Sequence, residues 1–108
     1  MQLQRRPISV IAALAFALLP TFGGAEVDGL VAEGQGIAET WCATCHLIAV
    51  DQVGADVGPS FPSVAAREDL SDGALRAWLT DPHPIMPQFD LSEPQIRALV
   101  TYIRSLND

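Results

Sequence analysis

The sequence predicts a helical domain, and three observations carry that prediction. Leu30, Gly34, Ile37 and Trp41 recur at offsets of four, three and four, one face of a 3.6-residue period. Two later stretches, Asp69 to Ala77 and Asp90 to Ala98, open with the same helix-start grammar. A last apolar stripe, Ile96, Leu99, Val100, Ile103 and Leu106 with Tyr102 beside it, marks the buried face of a terminal helix.

The beginning of the chain reads as an export signal and not as fold. Arg5 and Arg6 form a positive n-region, Ile8 to Leu19 an apolar core, and Gly23-Gly24-Ala25 a small-residue cleavage site. Residues 1–25 are therefore expected to be a cleaved secretory signal peptide, with one domain over 26–108. The apolar run is short for a bilayer span, so an uncleaved anchor is the minority alternative. The arginine pair also fits twin-arginine export, but any n-region needs positive charge. The expected compartment is the periplasm, where oxidation would pair two free thiols unless something else holds them.

Removing Arg5 and Arg6 takes the formal charge from −7 to −9, with Arg67, Arg76, Arg97 and Arg104 facing thirteen carboxylates and no lysine. That balance argues against nucleic acid as a partner. A basic or neutral docking surface on a partner is the expectation, with salt-sensitive rates if charge steers the encounter. Plain solubility accounts for the same charge.

The first helix is expected from an N-cap at Asp28 to Trp41. Gly34 inside it costs about 1 kcal/mol relative to alanine. Close approach of another helix and a tolerated surface position both fit it.

Cys42-Ala43-Thr44-Cys45-His46 follows directly. Two cysteines two residues apart and then histidine read as a c-type haem attachment site. Two thiols add across the two vinyl groups of one porphyrin, and the next residue lies under the iron, where an imidazole supplies the proximal ligand. A structural disulfide, a redox-active pair and half of a zinc site are the alternatives. Zinc wants two more ligands, and the chain holds no other cysteine and one other histidine, His83. A thioredoxin-like pair wants alternating strands and helices, which the flanks do not show. A covalent haem would also supply the apolar centre that a domain of this size otherwise lacks.

Leu47 to Ala66 has no sustained period and carries Gly54, Gly58-Pro59 and Phe61-Pro62, so it is expected as a long loop covering the proximal side. A ligating histidine donates its other ring N–H to a fixed acceptor, and the Pro59 carbonyl is the candidate for His46. Alternatively, Gly58-Pro59 only turns the chain.

Ser71 and Ser92 are the N-caps of the two later helices, with Asp72 and Glu93 at the dipole-favoured first position. Leu70 with Leu75 and Leu91 with Ile96 stand as hydrophobic staples, and Ser92 with Gln95 as a capping box. The middle helix is expected to end near Thr80 and the last near Leu106. Between them, three prolines from Pro82 to Pro87 forbid a helix and stiffen the segment. Met86 is the one methionine remaining after cleavage. A thioether on a rigid loop suits the sixth position of a haem iron and raises its potential; core filling is the bland reading. His83 reads as a rim histidine without a ligand role.

Taken together these residues resemble the class I cytochromes c, small soluble bacterial monohaem carriers. The resemblance rests on Gly34 eight residues before the first cysteine, Cys42 to His46, Gly58-Pro59, Met86-Pro87 and Leu99-Val100-Thr101-Tyr102 in the last helix. It implies an all-α small cytochrome c fold in which N- and C-terminal helices cross, with a middle helix, packed around one haem c. It also implies covalent attachment at Cys42 and Cys45, axial His46 and Met86, and one exposed haem edge. Arg67 and Trp78 are candidate donors to the haem propionates, against a solvated charge and a core aromatic. The chain departs from the family in having Ala38 where an aromatic is common, with Trp41 beside Cys42. It has no lysine ring.

The function expected is periplasmic one-electron transfer to and from redox proteins, as a monomer or in transient complexes. No substrate bond changes, so no enzyme is expected. A dedicated haem subunit of a larger dehydrogenase or oxidase is one alternative. A peroxidase or gas sensor, which needs an open iron, is the other.

Overall fold

The computed structural model describes residues 3, 12–15, 17, 22–54, 57–82 and 84–107. Among them the chain forms four α-helices and one π-helical turn, with no strand. In chain order these are α1 (Phe22–Ile37), the π turn (Ala38–Cys42), α2 (Phe61–Ala65), α3 (Asp72–Thr80) and α4 (Glu93–Ser105). The fold is all-α. His83, Arg5, Arg6 and most of the run Ile8 to Leu19 lie outside the described residues.

The cap residues set the later helix starts. Ser71 Oγ accepts from Ala74 N at 3.0 Å. At α4, Ser92 Oγ accepts from Gln95 N at 3.4 Å while Gln95 Oε1 accepts from Ser92 N at 2.9 Å, a complete capping box. Such caps contribute about 1 kcal/mol each. Leu70, Leu75, Leu91 and Ile96 all join the core.

Three expectations change. The stretch Leu47 to Ala66 is not all loop: residues 61–65 form α2, capped by Ser60 Oγ on Ser63 N at 3.2 Å, with Pro62 in the first turn. Five residues are too few for a period to show. Asp28 is interior to α1, which starts at Phe22, and is not its N-cap; no proline interrupts the chain between the two. Trp41, finally, does not share the buried face of α1.

The π turn explains Trp41. Ala43 N bonds to Ala38 O at 3.0 Å, a five-residue step that admits one extra residue and rotates those after it. Gly34, Ala38 and Cys42 are buried in sequence at intervals of four, while Trp41 swings outward, 52 % exposed.

α1 crosses α4 at Gly34. A Cβ there would lie 2.6 Å from Tyr102 Cβ and closer still to the Ala98 carbonyl, so the two helices approach as only glycine permits. Ala38 and Ala98 are fully buried. Leu99 and Ile103 fill the centre. The buried Tyr102 hydroxyl donates to the Ile48 carbonyl at 2.6 Å, tying α4 to the loop that follows His46. Arg104 Nε donates to Asp72 at 2.7 Å and its Nη2 to the Leu70 carbonyl, joining the end of α4 to the start of α3.

Candidate haem-binding site

The π turn delivers the chain to one further turn. The Cys42 carbonyl accepts from Cys45 N at 3.1 Å and from His46 N at 3.0 Å, so both cysteines and the histidine share it. Cys42 is 6 % exposed and Cys45 half-buried, and they form no disulfide. Burial pushes the Cys42 thiol up to about 11, so it is protonated at neutral pH. Among the described residues no group of three or more His, Cys, Asp or Glu side chains could hold a metal ion, as zinc would want.

His46 is fixed by the loop behind it. Its Nδ1 lies 2.7 Å from the Pro59 carbonyl oxygen. A carbonyl only accepts, so Nδ1 is the donor and Nε2 is the ring nitrogen left for a metal. Gly58 N donates to the Cys45 carbonyl at 2.9 Å, and a Cβ on Gly58 would fall 2.6 Å from His46 Nδ1. Phe61 packs against the imidazole at 5.4 Å between centroids, tilted by 45°.

Cys42, Cys45, His46 and Met86 all line one cavity of about 510 Å³, walled by apolar side chains that include Phe61 and Leu79. That volume lies within the roughly 300–1,000 Å³ of small-molecule and cofactor sites. Met86 is half-buried and packs on the core, between Ile85 and Pro87, which also line the cavity. Two thiols on one turn, an imidazole held through Nδ1 and a thioether around an apolar cavity fit a haem attached at both cysteines.

The two candidate propionate donors separate. Trp78 lines the cavity and is 40 % exposed. Arg67 does not line it. Its guanidinium grips Asp69 through two bonds, at 2.7 and 3.1 Å, with its carbon 6.0 Å from the Trp78 ring centroid. That pair holds the Asp69 carboxyl below its usual range, first through the hydrogen bond.

The sequence marks Gly58 as a turn residue and as part of the Gly58-Pro59 motif, but its contact with His46 spans twelve residues and has no local signature. Phe61 was part of the same supposed loop. Ile85 carries no signal of its own in the sequence, yet its φ is 87°, a conformation that a β-branched residue rarely adopts.

The sequence model of the family described as cytochrome c oxidase, cbb3-type, subunit III matches residues 29–103. The chain is 48 % identical over 75 residues to cytochrome c-552 of Bradyrhizobium diazoefficiens, covering 68 % of this chain and 71 % of that one. It is 36 % identical over 84 residues to cytochrome c oxidase subunit 2 of Alkalihalophilus pseudofirmus, covering 67 % of this chain but 24 % of that one. The fold matches the crystal structure of the c-type cytochrome SorU from Sinorhizobium meliloti with a TM-score of 0.59 and 23 % identity, covering 73 % of this chain and 92 % of that one. Fold, site and relatives agree: the chain belongs to the cytochrome c family, a small c-type cytochrome whose cofactor is covalently bound haem c and whose work is electron transfer.

Proposed function

We propose that this chain is a periplasmic one-electron carrier, with haem c joined to Cys42 and Cys45 and its iron ligated by His46 and Met86. The observation that carries the reading is the meeting of these four side chains at one apolar cavity, with His46 oriented by Pro59. When bound, the haem supplies a reversible ferrous–ferric couple. The protein's part is to hold both ligands through the change. The Pro59 carbonyl fixes the imidazole tautomer and ring plane, and the proline-braced loop limits movement of the Met86 thioether. A thioether ligand favours the ferrous state; the acidic body, −9 after cleavage, pulls modestly the other way.

No substrate bond changes in this scheme, so the chain acts as a carrier and not an enzyme, serving redox proteins in transient complexes. The leader with Arg5 and Arg6 supports export. Among the described residues no helix is long and apolar enough to cross a membrane. The relative called cytochrome c-552 is matched over 71 % of its length and the oxidase subunit over 24 %, so the former is the better guide to the whole protein.

Denaturing chromatography of chain exported to a bacterial periplasm, paired with Cys42→Ala and Cys45→Ala, tests the attachment. Haem should travel with the wild-type chain and be lost from the double variant. Haem that separates from the wild-type chain on denaturation contradicts the reading.

A further inference from the structure

The segment that carries Met86 has little backbone to hold it. Pro82, Pro84 and Pro87 offer no N–H, and among the described residues no backbone hydrogen bond joins residues 84–88 to another element. The bond just past them, from Leu91 N to the Phe89 carbonyl at 2.9 Å, stays within the approach to α4. Proline stiffens such a segment internally but does not fix it against the rest of the fold. Side chains have to do that, and Met86 and Leu91 do part of it by packing on the core.

Trp41 supplies a second attachment. Its ring meets that of Phe89, three residues past Met86, with centroids 5.8 Å apart and planes tilted by 46°. The contact depends on the π turn. At regular α spacing Trp41 stays on the face of Leu30, Gly34 and Ile37; the step from Ala43 N to Ala38 O turns it away from that face and toward Phe89. Interruptions of this kind gather at functional sites. Here the interruption joins the residue beside the first attachment cysteine to the loop that bears the sixth-ligand candidate.

We propose that Trp41 and Phe89 form an aromatic clasp that holds the Met86 loop closed on the cavity, which makes both of them positioning residues for the sixth ligand. The proposal rests on the His46/Met86 reading given above. The clasp acts on how often the loop opens and not on the thioether itself. A tilted ring pair attracts only in the closed form, and that attraction is lost once the loop swings away, so the pair shifts the balance toward closure.

The test is the rate of cyanide binding to the ferric holoprotein, followed by loss of the iron–thioether charge-transfer band, because Met86 must leave before cyanide enters. Trp41→Ala and Phe89→Ala should each speed binding roughly two- to tenfold, the factor expected of one aromatic pair. The double variant should bind about as fast as either single one, since both changes remove the same contact. Trp41→Phe keeps a ring against Phe89 and should stay near the wild-type rate. If Trp41→Ala, beside Cys42, fails to take up haem, Phe89→Ala against the ring-keeping Phe89→Tyr decides by the same rate. Alanine variants no faster than wild type, or two effects that multiply in the double variant, overturn the clasp and leave Met86 on the iron as long as the wild type shows the band. A wild type that lacks the band and binds cyanide within the mixing time removes Met86 from the iron, and the clasp falls with it.

Discussion

His46 occupies the space that a side chain at Gly58 would need. A Cβ on Gly58 would lie 2.6 Å from Nδ1 and 2.9 Å from Nε2 of the imidazole, while the next residue, Pro59, offers Nδ1 its carbonyl at 2.7 Å. One dipeptide thus clears room for the ring and orients it. Gly58→Ala should push His46 out of line, and the haem protein should then bind carbon monoxide in the reduced state. Stopped-flow mixing with carbon monoxide checks this; a variant as closed as wild type would refute it.

The crossing of α1 and α4 makes two glycines of one helix behave oppositely. Gly34→Ala must displace the Ala98 carbonyl and Tyr102, and overpacking of this kind costs about 1–3 kcal/mol. Gly36→Ala meets nothing within 4 Å and should stabilise by about 0.5–1 kcal/mol through helix propensity. Denaturant melts of the two holoproteins should move in opposite directions.

Tyr102→Phe removes the bond to the Ile48 carbonyl and leaves that buried acceptor unpaired, at a cost of about 1–3 kcal/mol. A pH signature accompanies it. Burial, and secondarily the Glu39 carboxylate, raises the Tyr102 hydroxyl above its ordinary 10.0. A raised group stabilises fully below its unfolded value, so this contribution is present below pH 10.0 and fades as pH climbs through the folded value. Wild type should lose that stability in alkali, and Tyr102→Phe should lack this component of the loss. Urea melts across that range measure the difference.

These positions also show what the sequence can display. The caps at Ser71 and Ser92 use partners three residues away, and local chemistry of that kind is readable in one dimension. The haem turn is equally local, with Cys42, Cys45 and His46 tied to one carbonyl. Gly34 left two readings open because the residues that decide between them, Ala98 and Tyr102, sit on another helix. Trp41 was misplaced because a single five-residue step at Ala38 shifts the register without any proline or glycine at that step. Short α2 escaped because only its Ser60 cap and Pro62 signalled it. Arg67 pairs with the nearby carboxylate of Asp69 and not with the cavity, a choice set by a residue only two positions away.

Arg67→Gln should release Asp69. The carboxyl is held below 3.8 by the guanidinium, so its share of stability is present above 3.8 and lost as pH falls through the lower folded value. Without Arg67 the carboxyl should titrate nearer 3.8. Carbon-detected NMR titration of Asp69 in the reduced protein reads the shift, and an unmoved Asp69 would contradict the pairing.

Met86→Ala should retain covalent haem, lower the midpoint potential and open the iron to external ligands, because the thioether that favours the ferrous state is gone. Redox titration beside the wild type checks it; an unchanged potential would remove Met86 from the iron.

The most direct measurement is the optical spectrum of the ferric holoprotein, followed by carbon monoxide addition to the reduced form. Ligation by His46 and Met86 predicts a weak iron–thioether charge-transfer band and no carbon monoxide uptake. A spectrum without that band, together with ready uptake, would mean an open iron and contradict the electron-carrier account.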